Sequence, residues 1–383
     1  MRKCPLSYKE VDDRYDLQAL KRINHRLSDL EDLTYTTEEL LHEVAARAGK
    51  LSIQGVQPKL SARLNLKRHS FELVNTQGQY IIKPPSLHYK NLPENEDCTM
   101  KAAKTVGLET PLHGLIYGKD GQRSYWVKRF DRGAKGQKFS LEDFAQLAGA
   151  SRKTKYGYSL EQVAQLVETY CTFPRVESRK LFKLLLFCFL SGNEDQHLKN
   201  FSILVKNTLT QLSPCYDLVN STIVLTNPRE ESALTLAGKK SKLKLSDFLD
   251  YARTRLKLTA PIIGEVFQEL AEGLVHWPAL IRSSFLPDAS IGNYLLLFEK
   301  RYRRLGFVLL ELDLEALNLL SRANFTKSSR EDQTFSHQLE RQRAGNLQCL
   351  TSEQIETVRI REQEPGATYG MLSLLTADWK PPP

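Results

Sequence analysis

Residues 181–190 read LFKLLLFCFL, ten positions with a single charge at Lys183. A helix that is apolar on every side has no face to offer water, so it must lie at the centre of a packed body. Crossing a bilayer takes about twenty apolar residues, so this run is too short to span one. It is expected as the buried axis of a helical lobe, and helical patterns must surround it. SLEDFAQLAGA from Ser140, SLEQVAQLVETY from Ser159 and ESRKLFKLLLFCFLSG from Glu177 all carry helical spacing.

Upstream the period changes. LSARLNL, SFELV and QYIIK alternate and are separated by turn formers such as residues 75–78, which predicts strands of an antiparallel sheet. Residues 93–107 predict one helix, with apolar positions at Met100, Ala103 and Val106 and a stop at Gly107. Two more strands, HGLIYG and SYWVKRF, flank a tight turn at residues 119–121. Residues 1–50 predict two helical pieces, the second capped at Thr36 or Thr37. The expected fold is α+β and bilobal: residues 1–130 a small lobe with N-terminal helices and a mixed antiparallel sheet, residues 131–305 a helical lobe. Residues 306–383 form a C-terminal extension. In it FVLLELDLEALNLLSRANF predicts a helix, and the polar remainder is read as peripheral and partly disordered.

At 383 residues two such lobes can bury a sizeable core, and 41% hydrophobic with 26% charged residues excludes wholesale disorder and fibres. The six cysteines form no CxxC pair, so neither a zinc site nor a disulfide framework is expected. Residues 1–11 hold no apolar stretch of the kind a secretory signal needs, and a cytoplasmic setting is expected. The formal charge of +9 is spread out, with short clusters at residues 152–155 and 299–304, and is read mainly as a solvated basic surface.

The residues that can carry chemistry follow the buried helix directly. GNEDQHLKNFSILV, from Gly192, packs Asp195, His197, Lys199 and Asn200 into six positions. Phosphoryl transfer needs a carboxylate to orient the attacking hydroxyl and an amide oxygen to hold magnesium. Asp195 and Asn200 stand at the five-residue spacing of kinase catalytic loops. The competing reading is a polar turn whose Asp and Asn cap backbone groups, which leaves the His and Lys between them unexplained. FSILVK and QLSPCYD predict a hairpin around residues 207–208, and Asp217 at its far end is the candidate second metal ligand. In QYIIK, alternation puts Lys83 on the face of Ile81, toward an interior, so it needs a carboxylate; Glu96 and Glu94 are both candidates. SIQGVQPKLS, residues 52–61, is a loop with one glycine, unlike a Walker A sequence, whose Lys59 can reach phosphate.

In this order, SIQGVQPKLS, YIIKPPS, LPENEDCTM, VKRFDR, EDFAQL, GNEDQHLKNFS, YDLVNS and GKKSKL resemble the HipA family of toxin serine/threonine kinases, most closely its short HipT-like branch. The resemblance runs from about Cys4 to Leu305 and does not reach residues 306–383. It implies a fold related to phosphoinositide kinases, with ATP and Mg2+ as cofactors. Asp195 would be the catalytic base, Asn200 and Asp217 the metal ligands, Lys83 the phosphate grip and Glu96 its ion-pair partner. Gln54, Gly55, Val56, Gln57, Pro58 and Lys59 would form the nucleotide loop, and Lys128, Arg129 and Phe130 the hinge beside adenine. His197, Leu198, Lys199 and Tyr216 would add to the nucleotide site. Ser52 matches the loop serine that family members autophosphorylate, and phosphate there would repel the loop from the ATP cleft. Gln54 stands where a second loop serine is often found. The implied partners are an aminoacyl-tRNA synthetase as substrate, tryptophanyl or glutamyl, and antitoxin proteins. One antitoxin would bind DNA, and another would resemble the N-terminal subdomain of longer members. No membrane partner is expected. The alternative is a nucleotide-bound scaffold of a DNA-binding toxin-antitoxin complex with little activity; lipid phosphorylation is a third reading that no basic amphipathic stretch supports.

Overall fold

The apolar run folds as the core of α6 (Pro174–Ser191), which opens with proline in its first turn and ends at Gly192 in the left-handed region, φ 77°. Residues 181–191 are all buried. The computed structural model describes residues 1–47, 57–133, 137–151, 154–225 and 227–307. Around α6 pack α5 (Leu160–Tyr170), α8 (Ala260–Leu274) and α10 (Asp288–Arg304), with α7 (Leu245–Thr254) and α9 (Trp277–Arg282) completing the lobe. α5 buries Leu160, Val163, Ala164 and Val167, the spacing of one helix face, and starts with a capping box between Ser159 and Gln162. Aromatic edges lock the lobe: Phe187 meets Trp277 at 5.4 Å and Trp277 meets Phe298 at 4.9 Å. Lys183, the one charge in the run, is accommodated by Glu269 of α8 at 2.8 Å.

The other lobe is a five-stranded sheet in the order β4-β3-β5-β7-β6, with every pairing antiparallel. Its strands are β3 (Leu60–Asn65), β4 (Ser70–Leu73), β5 (Tyr80–Lys83), β6 (His113–Tyr117) and β7 (Arg123–Lys128). One face carries Phe71, Tyr80, Ile82 and Trp126 into a core shared with Leu20, Leu27, Leu30 and Leu33. Residues 1–47 thus cover that face with α1 (Leu17–Ile23) and α2 (Thr37–Arg47), preceded by the small pair β1 (Arg2–Lys3) and β2 (Glu10–Val11), which sequence patterning did not reveal. Of the two candidate caps for α2 it is Thr36, whose hydroxyl accepts from the Glu39 N–H while Glu39 returns a bond to the Thr36 N–H. The opposite face, bearing Lys83 and Tyr125, receives α3 (Leu92–Thr105).

One expected helix is corrected. Residues 140–143 of SLEDFAQLAGA are a strand, β8 (Ser140–Asp143), and only α4 (Phe144–Leu147) is helical. β8 pairs with β9 (Ser202–Lys206), which pairs with β10 (Leu209–Leu212), giving a second sheet of three strands. Asp143 ends the strand and caps α4, accepting from the Gln146 N–H at 2.8 Å. The predicted turn at Asn207 and Thr208 has positive φ at both residues, 49° and 66°, as a two-residue hairpin requires. The described residues contain no helix long and apolar enough to cross a membrane. The expected helix after residue 307 and the rest of the C-terminal extension lie outside the described residues.

Candidate active site

Alternation along β5 turns Lys83 onto the α3 face, where 3% of it is exposed. Its Nζ lies 2.5 Å from Glu96 Oε1 and also pairs with Asp217 Oδ1, which comes 134 residues later in the chain. This settles the choice between the two glutamates. Two residues earlier on α3, Glu94 accepts from Arg123 of β7 at 2.9 Å instead. Burial opposes the charge on Lys83, but the carboxylates of Asp217 and Glu96 outweigh it and raise its pKa. Burial pushes Glu96 up to about 7 in spite of Lys83, and its Oε2 has no hydrogen-bond partner among the described residues. Asp217, at φ 54°, would likewise be raised by burial, yet the Lys83 and Lys59 cations hold it below the usual carboxylate range. Burial lowers Lys59, which Asp217 counters in part. Lys59 forms no ion pair with any described residue. Lys83 and Glu96 are thus buried while Asp217 stays partly exposed at the edge of the cluster, and Lys59 is a further cation acting on Asp217.

The loop after α6 is built by side-chain bonds to its own backbone. Asn193 accepts from the Asp195 N–H at 3.1 Å, Gln196 donates to the Asn200 carbonyl at 2.8 Å, and Asn200 donates from Nδ2 to the Asp195 carbonyl at 2.8 Å. That last bond engages the Asn200 amide nitrogen, whereas its Oδ1 makes no hydrogen bond to any described residue. Arg301 of α10 fixes the loop from below, donating to the Phe189 carbonyl at 2.7 Å and to Glu194 at 3.0 Å. Asp195 itself remains half-exposed. His197 is buried; burial lowers its pKa, opposed by Asp195, and its Nε2 accepts from Lys155 Nζ at 2.5 Å. The Tyr216 hydroxyl, next to Asp217, donates to the Lys199 carbonyl at 2.8 Å and so brings this loop against the segment that pairs with Lys83.

Other expected residues divide. Phe130 stacks against Tyr216 with ring centroids 5.7 Å apart, and the Tyr216 hydroxyl donates to the Lys199 carbonyl at 2.8 Å. The Lys128 N–H bonds the Leu112 carbonyl and the Arg129 N–H the Gln79 carbonyl, both at 2.8 Å, while the Arg129 guanidinium clasps Asp131. Leu198 is fully buried and Lys199 turns toward Asp143 at 3.8 Å, so from these two the cleft receives backbone rather than side chain. Gln57, Pro58 and Lys59 lead into β3, and the Gln57 amide nitrogen is buried without a partner among the described residues. Ser52, Gln54, Gly55 and Val56 lie outside the described residues. Sequence reading passed over Tyr156, whose hydroxyl donates to Asp195 Oδ1 at 2.5 Å, and Lys155. The only signal was an aromatic residue directly after the basic cluster at residues 152–155.

No three His, Cys, Asp or Glu side chains gather as a metal site among the described residues. One carboxylate and one amide oxygen, Asp217 and Asn200, suit Mg2+, which is usually held by one or two protein ligands together with substrate phosphates. Asn200 also borders a separate cavity of about 520 Å³ with Gly107, Lys183, Pro214 and Glu269. Lys183 is already paired there with Glu269.

The HipA-like C-terminal domain model matches residues 51–277. A putative kinase of Haemophilus influenzae is 28% identical over 334 residues, covering 79% of this chain and 96% of that protein. The serine/threonine-protein kinase toxin HipA of Shewanella oneidensis is 29% identical over 192 residues, 45% of this chain and 43% of that protein. A chain of the solved complex of Shewanella oneidensis MR-1 HipA, HipB and operator DNA matches with a TM-score of 0.56 at 23% identity, covering 73% of this chain and 74% of that one. That likeness establishes the bilobal, kinase-like α+β fold.

Proposed function

The chain belongs to the HipA-like C-terminal domain family, and on that premise we propose that it is a toxin-type serine/threonine kinase that transfers the γ-phosphate of ATP to a hydroxyl on a protein. The observation that carries the proposal is the Lys83 ammonium shared between Glu96 and Asp217. A buried lysine fixed between the sheet, α3 and the segment after β10 is a point charge aimed at one place, as phosphate binding requires. Lys83 and Lys59 would bind the phosphates, with the loop at Gln54–Lys59 over them. Phe130 and Tyr216 would form an apolar wall for the base, beside backbone groups of Lys128, Arg129, Leu198 and Lys199. Asn200 and Asp217 would hold Mg2+, which supplies positive charge against the β- and γ-phosphates. Asp195 would take the proton of the acceptor hydroxyl, held in place by the Asn193 and Asn200 bonds around its backbone.

By analogy with the family, the acceptor we propose is an aminoacyl-tRNA synthetase, tryptophanyl or glutamyl, whose modification would stop translation. Self-phosphorylation at Ser52 would silence the enzyme, and antitoxins, one of them bound to DNA, would be its partners. The test is incubation with Mg2+ and labelled ATP in bacterial lysate, beside Asp195→Ala and Ser52→Ala. Label on a synthetase-sized band with the unmutated chain, lost in Asp195→Ala, is expected. Tight ATP binding without transfer to any protein would favour a nucleotide-bound scaffold. Self-labelling should fall in Ser52→Ala; unchanged self-labelling would remove the loop switch.

A further inference from the structure

Asp195 has two carboxylate oxygens, and the structure treats them differently. Oδ1 accepts from the Tyr156 hydroxyl at 2.5 Å and faces His197 Nε2 at 3.9 Å. Oδ2 makes no hydrogen bond to any described residue. Tyr156 arrives from the link between α4 and α5, 39 residues before Asp195, and is 40% exposed at the edge of the cleft. Two ring contacts hold it there. Its ring meets His197 edge-on, with centroids 4.9 Å apart and planes at 80°. Lys155 Nζ lies 4.8 Å from the centre of the same ring, and it also donates to His197 Nε2 at 2.5 Å. Burial first, then the neighbouring Asp195, raises the Tyr156 pKa, so the phenol keeps its proton and acts as donor.

We propose that Tyr156 is a positioning residue of the transfer site: by holding Oδ1 it fixes the Asp195 carboxylate so that Oδ2 is the oxygen presented to the acceptor hydroxyl. The inference rests on Asp195 being the group that takes the acceptor's proton. A half-exposed carboxylate with no such bond is free to turn about its own side-chain torsions, and transfer demands near-attack geometry. Tyr156 adds no charge and exchanges no proton with the acceptor. It is a brace, with Lys155 and His197 behind it.

The experiment uses the full chain with Mg2+ and varied labelled ATP, reading label entering the lysate acceptor band for Tyr156→Phe, Tyr156→Ala and Asp195→Asn. Melting temperature and ATP affinity are measured in parallel to show that each variant is folded. Both Tyr156 variants are expected to lower kcat about tenfold or more while KM for ATP stays within about twofold, because the hydroxyl serves the transfer and not nucleotide binding. Phe behaving like Ala assigns the effect to the hydroxyl. A wild-type rate in Tyr156→Phe, with Asp195→Asn inactive, would overturn the brace alone. Full activity in Asp195→Asn would overturn the underlying reading of the site, and the brace with it. Phosphate found on Tyr156 by mass spectrometry would also overturn it, making that hydroxyl an acceptor.

Discussion

Lys83 shows how a single residue can be both structural and chemical. At 3% exposure its ammonium is tolerable only because Glu96 and Asp217 both accept from it. Replacing it by methionine keeps the stem volume but leaves the buried Glu96 and the partly exposed Asp217 facing each other without the ammonium between them. Glu96, already pushed up to about 7, is expected to bind a proton, whereas Asp217 loses one of the two cations that keep it ionised. Lys83→Met should lower stability by about 3 kcal/mol, measured by urea unfolding, and transfer by about a hundredfold or more. Unchanged stability would mean that the three side chains are not held together in solution. The lysine was legible in sequence, because alternation placed it on the interior side of QYIIK. Which glutamate pairs with it was not. Glu94 and Glu96 are two positions apart on a helix and face different neighbours, and only the packing of α3 on β7 assigns Glu94 to Arg123. Tyr156 was hidden for the same reason at longer range, since its partner lies 39 residues away.

Elements were legible where their signals are local and obscure where they depend on a distant strand. α6 declared itself by apolar content, and the β9–β10 hairpin by its turn. Residues 140–143 looked helical because SLEDFAQL has helical spacing, yet they pair with β9, a contact no local pattern encodes. The stop of α6 at Gly192 and the tightness of its surroundings emerge only from the structure. A Cβ at Gly192 would lie 2.5 Å from both Asn220 Oδ1 and Leu297 Cδ2, whereas at Gly238, with almost the same φ of 76°, no described residue stands within 4 Å. Gly238→Ala should therefore cost about 1 kcal/mol for the left-handed backbone alone. Gly192→Ala should cost roughly 2–4 kcal/mol and slow transfer as well, since the turn launches the loop that carries Asp195. Melting curves of the two variants separate the contributions; equal losses would show that the close approach of Asn220 and Leu297 has no energetic weight.

At the scale of the whole described unit, residues 1–305, the site works only if β5, α3 and the segment after β10 keep one register. Asn95 links two of them. From α3 its Nδ2 donates to the Asn220 carbonyl at 2.9 Å, and its Oδ1 accepts from the Asn220 N–H at 2.8 Å, a reciprocal pair across 125 residues. Asn95 stands next to Glu96, and Asn220 stands three residues after Asp217, so this pair ties together the same two segments that Lys83 bridges. Both asparagines are within 1% of full burial, so water cannot replace the lost partner. Asn95→Leu preserves approximate volume and leaves a buried peptide N–H and carbonyl unpaired, an expected loss of about 2–4 kcal/mol. If the clasp also sets the distance between Lys83 and Asp217, ATP affinity should fall beyond what unfolding explains. Calorimetric titration of ATP and Mg2+ at a temperature where the variant is fully folded checks this. An Asn95→Leu protein that is less stable but binds ATP as the unmutated chain does would reduce the clasp to a fold-stabilising contact and leave the alignment of the cleft to the Lys83 cluster alone.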